Sequence, residues 1–117
     1  MSKFQIIIPM SGFGERFRKV GYQIPKPLIE VAGKPMIAHV IDMFPGENKF
    51  IFICNELHLQ KKQFNMRNIL LKYAPLAKIV SISAHKKGPV HAILQSTDYI
   101  DLNLKTIVNY CDFTCYW

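Results

Sequence analysis

Phe4 to Arg16 reads FQIIIPMSGFGER, and the change of character at its middle decides the fold. Phe4 to Pro9 is aromatic and β-branched with no alternation of apolar and polar residues, as in a strand buried on both faces of a parallel sheet. From Met10 to Pro27 the chain turns to Gly12, Gly14, Gly21, Pro25 and Pro27, mixed with Arg16, Arg18, Lys19 and Lys26. That stretch holds no sustained helical or strand period and reads as a long loop. Loops of such length inside a compact domain are usually functional or disordered.

Outward from this start, strands and helices alternate. Leu28 to Val31 reads as a short extended piece and Ala32-Gly33-Lys34 as a turn. Pro35 suits the first turn of a helix whose apolar stripe is Ile37, Val40, Ile41 and Phe44. Lys49 to Cys54 is a second strand, and Asn55 is placed to cap a helix running to about Lys72, with apolar positions at Leu59, Phe64, Ile69 and Leu70. Lys78 to Ile82 is a third strand. Ser83 to Lys87 is a polar loop, Gly88-Pro89 opens a helix to about Tyr99, and Thr106 to Tyr110 is a fourth strand. This alternation predicts an α/β, Rossmann-like parallel sheet with helices on both faces. Ligands of such sheets sit at the carboxyl ends of the strands, where strand order reverses. Three loops are thereby singled out: Met10 to Lys26, Ser83 to Gly88, and Cys111 to Asp112.

The 117 residues, half of them apolar, suffice for one domain spanning 1–117 and are too few for two of usual size. No apolar run, Ile6 to Ile8 included, approaches the roughly 20 residues that cross a bilayer, so no membrane partner is expected. Met1-Ser2-Lys3-Phe4 lacks the apolar region and cleavage site of a secretory signal, and a cytoplasmic location is expected. Three cysteines (Cys54, Cys111, Cys115) make a disulfide framework improbable in such a chain. The histidines at 39, 58, 85 and 91 have no finger spacing to those thiols, so buried thiols are the better reading than zinc.

A net charge of +7 attracts polyanions. The cations are scattered, without a block of five or more, and the aromatics Phe4, Phe50, Phe52 and Tyr110 fall in predicted buried strands. A nucleic-acid partner is therefore not expected. The glycine pair Gly12 and Gly14 after a buried strand lets backbone N–H groups approach a phosphate. Neither common phosphate motif is completed: Phe17 stands where a dinucleotide fingerprint wants glycine, Val31 lies where its acidic residue belongs, and no Gly-Lys-Ser/Thr ends the loop.

The run from Pro9 to Met36, PMSGFGERFRKVGYQIPKPLIEVAGKPM, resembles the signature of the sugar-nucleotide pyrophosphorylases, the nucleotidyltransferases that act on sugar 1-phosphates and related phosphomonoesters. A glycine-rich loop ending in arginine, a Pro-Lys-Pro segment and a Gly-Lys-Pro-Met turn occur in that order. Gly88-Pro89 with Ala92 is similar to the family's base-contacting segment, and Asp112 stands where the family carries a magnesium-binding aspartate. The resemblance implies a nucleotide-diphospho-sugar transferase fold, a nucleoside triphosphate and a phosphorylated small molecule as partners, and Mg2+ as cofactor. It implies nucleotide contacts at Pro9, Met10, Ser11, Gly12, Gly14, Arg16, His85 and Gly88. It further assigns Arg16 to the triphosphate, Lys26 to the phosphates that meet in the transition state, and Asp112 to the metal. No protein nucleophile is required, because the acceptor phosphate attacks the α-phosphorus and pyrophosphate leaves.

Taken alone, Arg16 reads as a solvated loop arginine and Asp112 as a strand-end turn residue; the flanking prolines favour a functional Lys26, because they restrict its backbone. His91 reads as packing, and His85 either lines the base pocket or faces water. Ser11 and Glu15 replace the family's more frequent residues, a version similar to capsule and surface-polysaccharide enzymes, and Glu15 is expected to turn outward or to pair with Arg16 or Arg18. Family domains continue well past the first metal aspartate. The resemblance therefore implies that 1–117 is the N-terminal, nucleotide-binding part, a fragment that lacks its acceptor half and does not turn over alone. The competing readings are a metal-dependent nucleotide-sugar glycosyltransferase and a non-catalytic nucleotide-binding homologue. CTP, UTP, dTTP and GTP all stay open, with a lean towards a pyrimidine, and so does a homo-oligomer.

Overall fold

The computed structural model describes residues 4–10, 26–47, 49–83, 89–101 and 103–109. In chain order it contains strand β1 (Phe4–Met10), a 3-10 turn at Lys26–Leu28, a hairpin of β2 (Glu30–Val31) and β3 (Lys34–Pro35), and helix α1 (Met36–Asp42). Strand β4 (Phe50–Asn55), helix α2 (Glu56–Gln60), a 3-10 turn at Lys62–Phe64, helix α3 (Met66–Tyr73) and strand β5 (Lys78–Ile82) follow. Helix α4 (Pro89–Gln95), a 3-10 turn at Thr97–Tyr99 and strand β6 (Lys105–Val108) complete it. Four strands form one parallel sheet in the order β5-β4-β1-β6.

The two middle strands have no solvent face. In β1, Ile6, Ile8 and Met10 join one buried layer and Ile7 the other; in β4, Phe50, Phe52 and Cys54 join the first and Ile51 and Ile53 the second. The first layer is closed by Ile37 and Val40 of α1, by Phe64, and by Met66 and Leu70 of α3. Its aromatic centre is the stacked pair Phe50 and Phe52, with centroids 5.9 Å apart, and Phe44 edge-on to Phe50 at 6.3 Å. The second layer is closed by Val80 and Ile82 of β5 and Ala92 of α4. Burying one such side chain fully is worth about 1.5–3 kcal/mol, so two continuous layers dominate the stability of the sheet.

The helix placement follows from handedness. From β1 through β4 to β5 the chain advances in one direction, and right-handed crossovers put α1 and α3 on one face. To reach β6 it must pass back over β4 and β1, and the same handedness puts α4 on the opposite face. The predicted sheet with helices on both faces is therefore the observed one.

The element bounds differ from expectation in places with identifiable causes. The single helix expected from Asn55 to about Lys72 is two helices. Asn55 does cap the first, its Oδ1 accepting from Leu57 N at 2.9 Å. The break comes at Lys61 to Asn65, where Asn65 takes the left-handed φ of +50°. Phe64 and Met66 are both buried, yet residues two apart lie about 200° apart around a helix, so one straight helix could not have buried both. The expected helix to Tyr99 stops at Gln95; the buried Ser96 hydroxyl donates to the Ala92 carbonyl at 2.9 Å, and a 3-10 turn follows. Pro35 is the cap preceding α1 rather than its first residue, and Leu28 lies in a 3-10 turn ahead of the hairpin. The fourth strand is Lys105–Val108 where Thr106–Tyr110 was expected, and Tyr110 lies outside the described residues.

At the amino edge of the sheet the strands are tied together by polar groups. Gln5, fully buried, donates from Nε2 to the Asp101 carbonyl (2.5 Å) and to Thr106 Oγ1 (2.8 Å), while its Oε1 accepts from Asp101 N at 3.1 Å. Lys49 pairs with the Asp101 carboxylate at 3.7 Å. Towards the carboxyl edge the described ladder between β1 and β6 is shorter than that between β1 and β4. Ile6 N donates to the Lys49 carbonyl on the β4 side (2.9 Å), and the Ile7 carbonyl accepts from Asn109 N on the β6 side (3.0 Å). Position 9 faces β6 as position 7 does, and Pro9 has no N–H to give. The β1–β6 register accordingly ends at Ile7 and Val108, whereas β1–β4 runs on to Met10 and Cys54.

Two outcomes are expected. Replacing Gln5 by Leu leaves the Asp101 backbone groups without their partner and should cost about 2 kcal/mol in urea unfolding, and an unchanged midpoint would contradict the tie. Pro9→Val supplies the missing donor towards β6. The introduced amide should be protected from hydrogen exchange, with stability equal or higher by about 1 kcal/mol; a freely exchanging amide at position 9 would show that β6 does not extend there.

Candidate functional site

The strand order reverses between β1 and β6: the chain builds the sheet one way from β1 and then returns to add β6 on the other flank. Open sheets bind their ligands at that point, outside the carboxyl ends of the strands. Among the described residues the β1–β6 ladder stops at Ile7 and Val108, while β1 itself runs on to Met10. Val108 pairs with Ile7, three residues before the end of β1.

The side chains at the ends of β1 and β4 are committed to packing. Pro9 and Met10 are buried, Met10 in the layer beneath α1, so their backbone is what they can offer to a ligand. Asn55 is buried and serves as the cap of α2. Ser11, Gly12, Gly14 and Arg16, which follow β1, lie outside the described residues, as do His85 and Gly88 after β5 and Asp112 after β6. In sequence, Arg16 comes six residues after the end of β1 and Asp112 four after the end of β6. These two segments thus depart from neighbouring strands at the reversal. β5 is two strands from β1, about 9.5 Å away.

Lys26 opens the 3-10 turn that packs against α1. Pro27 and Leu28 of that turn are buried, and Leu28 shares the apolar layer with Met10. The Pro-Lys-Pro segment is thereby anchored in the layer that runs under the end of β1. Immediately afterwards comes the β2–β3 hairpin, in which Glu30 pairs with Pro35 and Val31 with Lys34. Its two-residue turn requires positive φ at both central positions, and Ala32 (+52°) and Gly33 (+86°) provide it. Alanine in that region costs about 1–2 kcal/mol, and two-residue strands supply little to offset it.

The hairpin is held from outside by α1. Met36 N donates to the Ile29 carbonyl at 2.8 Å, His39 Nε2 lies 2.5 Å from the Val31 carbonyl, and Lys34 is ion-paired with Asp42. Because a carbonyl only accepts, His39 donates in that contact. Neither His39 nor Asp42 stood out in the sequence. The signal was available: the two lie three apart, on the side of α1 opposite Ile37, Val40 and Ile41.

Among the described residues no group of three His, Cys, Asp or Glu side chains is placed to hold a metal ion. Cys54 is fully buried and in no disulfide, as expected for a structural cysteine; Cys111 and Cys115 lie outside the described residues. Of the two weaker histidines, His91 is partly exposed on α4 and His85 lies outside the described residues. No helix among the described residues is long and apolar enough to cross a membrane.

Comparison with known proteins agrees with this geometry. The family model described as nucleotidyl transferase matches residues 5–112. The chain is 28% identical over 102 residues to UTP–glucose-1-phosphate uridylyltransferase AglF of Haloferax volcanii, covering 83% of this chain and 39% of that protein. It is 30% identical over 95 residues to the bifunctional protein GlmU of Methanocaldococcus jannaschii, covering 81% and 22%. It is also 34% identical over 89 residues to the human mannose-1-phosphate guanylyltransferase regulatory subunit alpha, covering 65% and 21%. In fold it is similar to the nucleoside-diphosphate-sugar pyrophosphorylase of Vibrio cholerae RC9, with a TM-score of 0.69 at 20% identity over 96% of this chain and 51% of that one. The chain thus spans between about a fifth and a half of the length of these proteins. With the family model matching from the first buried strand to Asp112, the chain belongs to the nucleotidyl transferase family.

Proposed function

We propose that the protein containing this chain is a magnesium-dependent nucleotidyltransferase. It transfers a nucleoside monophosphate from a nucleoside triphosphate to a sugar 1-phosphate or a related phosphomonoester, releases pyrophosphate, and so supplies an activated precursor for surface polysaccharide such as capsule. The observation that carries this reading is the strand reversal between β1 and β6. The segments bearing Arg16 and Asp112 leave those two strands, and the Lys26 turn is rooted beneath the end of β1. The names of the relatives, built on glucose 1-phosphate and mannose 1-phosphate, support a sugar 1-phosphate acceptor. They differ in the base, UTP for one and a guanylyl group for another, so the base is left open.

Both reactants are anions, and their mutual repulsion has to be offset before an acceptor oxygen can approach the α-phosphorus in line. In this reading Arg16 binds the triphosphate and Lys26 meets the phosphates as charge builds on them. The backbone of Pro9, Met10, Ser11, Gly12 and Gly14 lines the phosphates, and His85 and Gly88 belong to the base side. Asp112 is the metal ligand. A single carboxylate suits magnesium, which commonly takes one or two together with phosphate oxygens and water; when bound it neutralises and aligns those oxygens. The net charge of +7 raises the local concentration of such anions.

A second reading, a nucleotide-binding homologue without catalysis, is favoured by the likeness to a regulatory subunit. Turnover separates the two. With each triphosphate and a hexose 1-phosphate, the full-length protein is expected to release pyrophosphate in the presence of Mg2+. Lys26→Ala should lower kcat by about 100-fold or more, the size seen when one donor to developing charge is removed, and Asp112→Ala should remove the response to Mg2+. Nucleotide binding without pyrophosphate release by the full-length protein would favour the regulatory reading, and unchanged kinetics in both variants would refute the assigned roles.

A further inference from the structure

We propose that the β5 flank of the sheet docks on an anionic lipid surface, through Lys61, Lys62, Arg67, Lys72 and Lys78 with Leu76 as an apolar contact. The charge is segregated along the chain. Residues 57–97 hold seven of the fifteen lysines and arginines and none of the eight acids, while the rest of the chain holds eight of each. The whole net charge of +7 therefore belongs to this one segment. It runs from α2 through α3 to the edge strand β5 and on into α4. A merely solvated surface mixes both signs.

The five described cations are all exposed: Lys61 and Lys62 at the break between α2 and α3, Arg67 and Lys72 on α3, and Lys78 at the start of β5. None of them is in an ion pair; among the described residues those pairs are Lys34 with Asp42 and Lys49 with Asp101. Lys61 and Lys72 lie instead over rings, 5.3 Å from the Phe64 centroid and 5.4 Å from that of Tyr73, which steadies the side chains without neutralising them. Lys86 and Lys87 lie outside the described residues. Along the same flank stand two exposed leucines, Leu57 at 47% and Leu76 at 70%. Unpaired lysines beside exposed leucine are the composition that lies against anionic headgroups. Other polyanions fit less well. Single-stranded nucleic acid stacks on exposed rings, and here Phe64 is buried and Tyr73 half-buried. Protein interfaces are depleted in lysine, which supplies four of these five cations, and a second copy would bring the same charge. A contact of this kind needs no spanning helix, so it stands beside the lack of one among the described residues. Since β5 and β6 are opposite edges, three strand spacings or about 14 Å apart, docking on the β5 flank leaves the strand reversal uncovered.

The test sediments the full-length protein with vesicles of phosphatidylcholine alone or mixed with phosphatidylglycerol. Binding is expected to the mixed vesicles only, and it should fall as salt rises. Each cation close to such a surface contributes about fivefold, so Lys72→Gln combined with Lys78→Gln should weaken binding about 25-fold. Lys61→Gln with Lys62→Gln should do the same, and it serves if the first pair does not fold. Lys105→Glu removes the same two units of charge from β6, beyond a Debye length of about 10 Å at 0.1 M salt, and should change binding by less than about threefold. Leu76→Ser should weaken it about fivefold at constant charge. Equal binding to neutral vesicles, no binding to mixed ones, unchanged binding in the glutamine pairs, or an equal loss in Lys105→Glu would each overturn the proposal. Tighter retention by duplex DNA or by polyglutamate than by the mixed vesicles would overturn it in favour of a nucleic-acid or acidic protein partner. Sedimentation reads binding without turnover, so its outcome is separate from that of the pyrophosphate-release experiment.

Discussion

Gln5 to Met10 is withdrawn from water along its whole length, and this double-sided burial of β1 is the constraint on which the other elements depend. A strand without a solvent face needs an apolar layer on each side, and only a chain that covers both faces of its sheet can supply them. The right-handed crossover then leaves little choice. Helices α1 and α3 go to one face while the sheet grows towards β5, and α4 goes to the other when the chain returns to β6. The return creates the reversal beside β1. Packing of isoleucine and phenylalanine thus determines where polar chemistry can be located.

The two edges of the sheet are treated differently. At the amino edge Gln5, Lys49, Asp101 and Thr106 form a partly buried set of bonds that closes the gap between β1, β4 and β6. At the carboxyl edge Pro9 withholds the donor that would have continued the ladder to β6. A buried glutamine with three bonds and a proline in a central strand both run against the usual economy of a sheet. Here the glutamine ties the amino edge together, and the proline stands where the described β1–β6 ladder ends.

Much of this was legible in the residues. The unbroken apolar run of β1, the third strand from Lys78 to Ile82 and the cap at Asn55 were readable because each rests on local pattern alone. The split between α2 and α3 was not, because it is imposed by the sheet: Phe64 and Met66 both enter the core, a demand visible only once the core exists. The clasp by His39 and Asp42 was hidden for a similar reason, since a histidine facing a carbonyl eight residues back has no signature of its own. Of the candidate site, Pro9, Met10 and the Lys26 turn are placed. The glycines and Arg16 were recognisable from their order and spacing, and like Asp112 and His85 they fall outside the described residues.

A structure of the full-length protein with a nucleoside triphosphate and Mg2+ would test the central claim most directly. The α-phosphate is predicted to lie over the gap between the carboxyl ends of β1 and β6, within reach of the segment that follows Met10. A triphosphate bound at the amino edge beside Gln5 and Asp101, or outside β5 away from the strand reversal, would contradict it.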